Sequence, residues 1–129
     1  MQTISDGSIY RGAQADISLH SVDVRNNQYT KSQIWMENGP RGQVNSIQFG
    51  WSVNPNLYGD RSTRFTIYWT ADNYKRTGCY NTVCSGFIII SRNPSIGAMF
   101  ESSTYGGEKT LYFRPEVIQE FGHYKYLTK

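Results

Sequence analysis

The sequence predicts an all-β fold, an antiparallel β-sandwich of two layers, and three observations carry that expectation. Aromatic residues are abundant, with 10 Tyr, 6 Phe and 3 Trp among 129 residues, while helix-forming runs of Ala, Leu, Glu and Lys are scarce. Apolar residues recur at every second position in several short stretches, the period of a strand with one packed face. Clusters of Gly, Pro and Asn separate those stretches at short intervals, as turns do in sandwiches.

The elements follow in order. "YRGAQADISLH" sets Ala13, Ala15, Ile17 and Leu19 on one face and predicts the first strand. A polar stretch around Asn26 and Asn27 leads to "SQIWM", a second strand. "ENGPRG", residues 37–42, is a turn, because Asn-Gly supplies positive φ and Pro holds φ near about −65°. In "VNSIQFGWSV" Ile47, Phe49 and Trp51 share one face, and Ser46, Gln48, Gly50 and Ser52 share the other. "NPNLYGDRS" connects to "RFTIYWT", where Phe65, Ile67 and Trp69 oppose Thr66, Tyr68 and Thr70. "FIIIS", residues 87–91, reads as a strand buried on both faces. "IGAMFES" and "KTLYFR", joined by "STYGGE", are the last strands predicted. In the tail, "EVIQEFGHYKYLTK", Val117, Ile118 and Phe121 fit one turn of helix added to the sandwich or poorly ordered. The expected layout is an N-terminal extension over 1–9, a domain over 10–114 and a tail over 115–129.

Bulk properties exclude several classes of function. At 129 residues the chain forms one domain. Its net charge of +3 is spread along the sequence, which is not the clustered basic stripe that nucleic-acid binding needs. No run of apolar residues is long enough for a membrane helix, and "MQTISDGS" has neither the basic start nor the apolar core of a signal peptide. No G-x-S-x-G, G-x-x-x-x-G-K or H-E-x-x-H occurs, so a hydrolase elbow, a P-loop and a zincin site lack support, and no cofactor is called for. Cys79 and Cys84 allow a disulfide, two thiols or half a metal site. A structural zinc site needs about four ligands, and His20 and His123 have no paired spacing, so no metal is expected. In an oxidising compartment the pair closes a small loop that stabilises the fold by about 2 kcal/mol; in the cytosol it stays as two thiols.

Gln48 faces away from a packed aromatic row, on what is either plain solvent-facing sheet or the floor of a cleft. The segments "YRGAQADISL", "SQIWM", "NSIQFGWSVNPNLYGD", "TRFTIYWTADNYKRTGCYNTVCSGFI" and "IGAMFESSTYGG" decide the matter. Together they resemble the neprosin domain, a plant-rich family whose namesake is a secreted glutamic endopeptidase that cuts after proline. The resemblance runs from about Tyr10 to Phe113, and its most specific parts are G-W-x-V-x-P-x-L-Y-G-D and G-C-Y-N-x-x-C-x-G-F. It implies an antiparallel sandwich, in part incomplete here, a secreted history and a disulfide between Cys79 and Cys84. Gln48 falls where active members carry the first catalytic glutamate, in I-E-x-G-W. The second glutamate belongs to a W-G-G-E-like segment after G-Y-W-P, and neither segment occurs in this sequence. Glu108 in "TYGGE" matches a different, hairpin-like segment and does not inherit the role.

A two-carboxylate peptidase needs one group to take a proton from water and another to protonate or polarise the amide. Gln48 cannot titrate, although its amide can donate to an oxyanion, a contribution of about 3 kcal/mol when well aimed. A partner acid would have to come from Glu37, Glu101, Glu108, Glu116 or Glu120, and spacing selects none of them. The resemblance therefore implies a truncated glutamic-peptidase relative without activity of its own. The alternative is a non-catalytic extracellular module in which Tyr68, Thr66 and Gln48, with Tyr58 and Tyr80 in flanking loops, hold an extended proline-containing peptide or a carbohydrate. A remnant with no retained function is the third reading. Loss of C-terminal strands would also leave a sheet edge open, so self-association through that edge is expected.

Overall fold

The longest alternating stretches become the longest strands of the computed structural model, which describes residues 7–86, 94–120 and 123–128. The described elements are β1 (Gly12–Gln14), β2 (Ile17–Ser21), β3 (Thr30–Asn38), β4 (Asn45–Val53), α1 (Pro55–Tyr58), β5 (Arg64–Thr70), β6 (Cys79–Tyr80), β7 (Ser103–Thr104), β8 (Leu111–Phe113), β9 (Pro115–Glu120) and β10 (His123–Thr128). The fold is all-β, as the composition and periodicity require.

One layer is an antiparallel sheet in the order β3-β4-β5-β6. Its apolar face meets two smaller sheets, β7-β2-β8 and β1-β9-β10, so the core lies between layers. Phe49, Val53, Phe65 and Ile67 have no exposed surface, and Trp51 and Trp69 are buried beside them. Ile47, expected in the same row, is only half-buried at the end of β4. Ile17, Leu19, Phe113 and Val117 close the core from the opposite side. Phe113 packs edge-on against Phe65 at 5.4 Å, and the Trp51 indole donates to the Ser18 carbonyl at 2.8 Å, tying the layers together.

Local chemistry explains the connections. Asn54 caps α1, its side chain accepting from the Leu57 amide, Pro55 opens the helix, and Gly59 ends it at φ 77°. Gly50 lets β3 approach closely: a Cβ there would stand 2.1 Å from the Ser32 carbonyl oxygen.

Four expectations change. "YRGAQADISLH" divides into β1 and β2, which pair with different sheets, β1 with β9 and β2 with β7 and β8. "IGAMFES" is no regular strand: Gly97 at φ 82° turns the chain, leaving irregular bonds to β5 and one bridge between Met99 and Arg64. The described residues of the tail are not helical. They form β9 and β10, with Val117 fully buried, because β9 finds β1 on one side and β10 on the other. Tyr80 belongs to β6 and Tyr58 ends α1, so neither lies in a flanking loop. The "FIIIS" stretch and Phe121 lie outside the described residues.

Candidate functional site

The register of the four-stranded sheet assembles the polar face. Trp35 lies opposite Gln48, Gln48 opposite Tyr68, and Tyr68 opposite Tyr80, so one rung crosses all four strands. With neighbouring strands about 4.8 Å apart, the row spans about 14 Å. Gln48 and Tyr68 thus stand side by side on one face, and Tyr68 and Tyr80 have ring centroids 4.7 Å apart. The next rungs carry Gln33, Gly50 and Thr66, then Lys31, Ser52 and Arg64.

Gln48 is only 3% exposed although it faces away from the core. Its Oε1 accepts from Lys31 Nζ at 3.2 Å and from Gln33 Nε2. Both donors lie on β3 and reach along the strand, past the bare Gly50, to the rung that Gln48 occupies. Partial removal from water lowers the Lys31 ammonium below the ordinary lysine range. Lys31 joins neither of the ion pairs found among the described residues, Arg64–Asp60 and Arg114–Asp16.

Tyr58 stands one step away from this row. Its hydroxyl bonds Thr66 Oγ1 at 2.7 Å and accepts from Asn81 Nδ2 at 2.9 Å, while Thr66 Oγ1 also meets Ser52 Oγ at 2.7 Å. Arg64 lies over the Tyr58 ring at 5.2 Å and pairs with Asp60, whose carboxyl is drawn down to about 2 by the Arg64 hydrogen bonds first and the Ser62 amide second. Burial raises the Tyr80 phenol above its usual range, helped by the neighbouring tyrosines Tyr29, Tyr68 and Tyr58.

Tyr74 adds a wall. Asn73 and Tyr74 both adopt left-handed backbone, at φ 58° and 61°, which carries the Tyr74 ring over Tyr68 at 6.1 Å with 19° between planes. The Tyr74 hydroxyl bonds Ser46 Oγ at 2.7 Å. Asp72 organises the turn by accepting from the amides of Lys75, Arg76 and Thr77 and from the Thr77 and Thr70 hydroxyls.

Cys79 and Cys84 form a disulfide with Cα atoms 5.8 Å apart, as expected from the sequence. Inside its loop Asn81 turns at φ 52° and ties β5 in place: its Oδ1 accepts from the Ile67 amide and its carbonyl from the Trp69 indole, each at 3.0 Å. The same Asn81 side chain donates to Tyr58. The disulfide loop therefore positions the tyrosines as well as closing the chain.

A comparison with protein-family models matches residues 26–126 to Neprosin, well over half of the chain. The chain belongs to the neprosin family. This match reaches past Phe113 into β9 and β10, so the neprosin pattern takes in strands that the residue-level resemblance leaves out.

Of the five acids considered as partners for Gln48 in this neprosin-family sheet, Glu37 lies on the same face, opposite Ser46 and one rung along. It is exposed and hydrogen-bonds neither Gln48, Gln33 nor Lys31. Glu101 and Glu108 lie in the irregular segments around β7, and Glu116 and Glu120 lie on β9, paired with Gln14 and His123. No cluster of three or more metal-ligating groups occurs among the described residues. Sequence reading named Gln48, Tyr68, Tyr80 and Tyr58 as site candidates and did not name Lys31, Gln33, Trp35, Tyr74 or Asn81, which the structure brings beside them. The alternation of "TKSQIWMEN" holds the signal for three of these, since Lys31, Gln33 and Trp35 share a period-two face.

Proposed function

We propose that this neprosin-family chain holds an extended, proline-containing peptide along its tyrosine-lined face and does not hydrolyse it. One observation carries the reading: the carbonyl of Gln48, the residue that the sequence resemblance sets where active members carry the first catalytic glutamate, is engaged by Lys31 and Gln33, with no carboxylate bonded to it among the described residues. Amide hydrolysis by a carboxylate pair needs two groups that exchange protons at separated pKa values, and an amide tethered by an ammonium supplies neither. What remains is a binding surface. Trp35, Tyr68, Tyr74 and Tyr80 offer apolar faces of the kind that stack on proline rings, and Gln48, Gln33 and Lys31 offer donors to peptide carbonyls. Descent from secreted glutamic endopeptidases that cut after proline, and an extracellular site of action, belong to the same proposal.

The test is a calorimetric and tryptophan-fluorescence titration with a ten-residue peptide containing internal proline, followed by mass spectrometry after long incubation between pH 3 and pH 7. Saturable binding that falls in Tyr68→Ala, with the peptide recovered intact, is expected. Cleavage that disappears in Gln48→Ala would overturn the non-catalytic part, and its further loss in Glu37→Gln would identify the acid. Saturable binding of an oligosaccharide and none of the peptide would replace the ligand class.

A further inference from the structure

Hydrogen-bonding capacity around Gln48 is weighted toward donors, with Gln33 Oε1 an acceptor beside them. The Lys31 ammonium carries three N–H groups and gives one to Gln48 Oε1; Gln33 gives that same oxygen one of its two. The acceptor is thereby satisfied. The hydrogens left over on Lys31 Nζ, Gln33 Nε2 and Gln48 Nε2 meet no acceptor among the described residues. All are donors, and one is cationic. No described carboxylate pairs with Lys31, which is exposed as a residue although partial desolvation holds its ammonium below the ordinary range. Gly50, on the rung between Lys31 and Gln48, leaves no side chain in the way, and Trp35, 57% exposed, stands on the far side of Gln48 from Tyr68.

We infer that this site receives the free C-terminal carboxylate of its peptide, with Lys31 Nζ and Gln48 Nε2 as the donors and Trp35 and Tyr68 on either side of the last residues. A carboxylate is acceptor-only and carries the charge that Lys31 lacks, so it complements both the donor excess and the field. An internal peptide segment would offer single carbonyls and leave the ammonium unpaired. Since the inference rests on the peptide-binding reading, its test compares two forms of one peptide.

The ten-residue proline-containing peptide is titrated as the free acid and as the C-terminal amide into the wild-type chain, Lys31→Gln, and Lys109→Gln as an exposed control between β7 and β8, outside the four-stranded sheet. Amidation should weaken wild-type binding about tenfold, the effect of losing one charge-assisted hydrogen bond. Lys31→Gln should bind the acid about tenfold more weakly and no longer distinguish acid from amide, while Lys109→Gln behaves as wild type. Equal wild-type affinity for acid and amide overturns this inference and leaves the binding function standing. Retained preference for the acid in Lys31→Gln overturns the assignment to Lys31. Failure of both forms to bind overturns the proposed function and this inference with it. The acid-to-amide comparison on the unaltered chain needs no variant to fold.

Discussion

Lys31 Nζ donates to Gln48 Oε1 at 3.2 Å, and Gln33 donates to the same oxygen, so two residues of β3 converge on one acceptor of β4. The position is built to surround an oxygen acceptor, and a carboxylate would answer it better than an amide. Gln48→Glu should therefore carry a carboxyl whose folded pKa lies below the ordinary glutamate value near about 4.3. A depressed pKa contributes stability that is present above the unfolded value and lost as pH falls through the folded one. Urea unfolding of Gln48→Glu and wild type at pH 7 and pH 3 should show the difference moving toward the variant at pH 7 by about 1 kcal/mol. No change in that difference between the two pH values would mean that Lys31 and Gln33 do not hold the charge.

The Tyr74 wall depends on an ionised Asp72. Bonds from the Thr77 hydroxyl first, then from the Thr77 and Arg76 amides and the Thr70 hydroxyl, draw the Asp72 carboxyl down to about 2. Its contribution is complete above about pH 4 and fades as pH falls toward about 2. A near-ultraviolet circular dichroism titration should lose part of its tyrosine signal over that window as the Tyr68–Tyr74 stack loosens. Asp72→Asn should start with a weaker signal at neutral pH and show less change on acidification.

Gly50 sets the spacing between β3 and β4. A Cβ at this position would meet the Ser32 oxygen at 2.1 Å and the Gln33 Cα at 2.7 Å, both backbone atoms that cannot swing aside. Gly50→Ala should destabilise the chain by about 3 kcal/mol in urea unfolding, the upper end for overpacking. An effect under about 1 kcal/mol would show that β3 can shift without penalty.

Reduction of Cys79–Cys84 frees a loop with a sequence separation of 5, for which chain entropy gives about 2 kcal/mol. Because Asn81 in that loop bonds both Ile67 and Tyr58, reduction should also weaken peptide binding. Parallel unfolding and titration experiments with and without reductant check both effects. Lost stability with unchanged affinity would separate the loop from the site.

The two long strands of the polar face were legible because alternation in "NSIQFGWSV" and "RFTIYWT" is strict, and cross-strand pairing then follows from which face is apolar. Gln48 and Tyr68 could be placed on one face from those patterns alone. The contact of Lys31 with Gln48 and the place of Tyr74 could not be read that way. Lys31 matters through its reach along β3 to a rung two steps away, and Tyr74 through a left-handed turn that a β-turn sequence without Gly does not announce. The tail misled for a physical reason: Val117 and Ile118 are adjacent, and the spacing to Phe121 fits a helical face, whereas in β9 Val117 and its alternate neighbour Pro115 are both buried, which is the strand period.

That reversal makes β9 the sharpest test of the fold. Val117 has no exposed surface and belongs to the core cluster with Phe49, Phe65 and Phe113, and Pro115 is fully buried on the same strand. β1 pairs with β9 alone among the described strands, so β9 also supplies the hydrogen bonds that hold Gly12–Gln14. Val117→Ala removes two buried methyl groups and should destabilise the chain by about 2 kcal/mol. Val83, 75% exposed in the disulfide loop, provides the contrast, and Val83→Ala should stay within about 0.5 kcal/mol of wild type. Deleting residues 115–129 should abolish cooperative unfolding, because it opens the core beside Phe113 and leaves β1 unpaired. If the shortened chain melts cooperatively with Val117→Ala as mild as Val83→Ala, the tail is an appendage and the second layer closes without it.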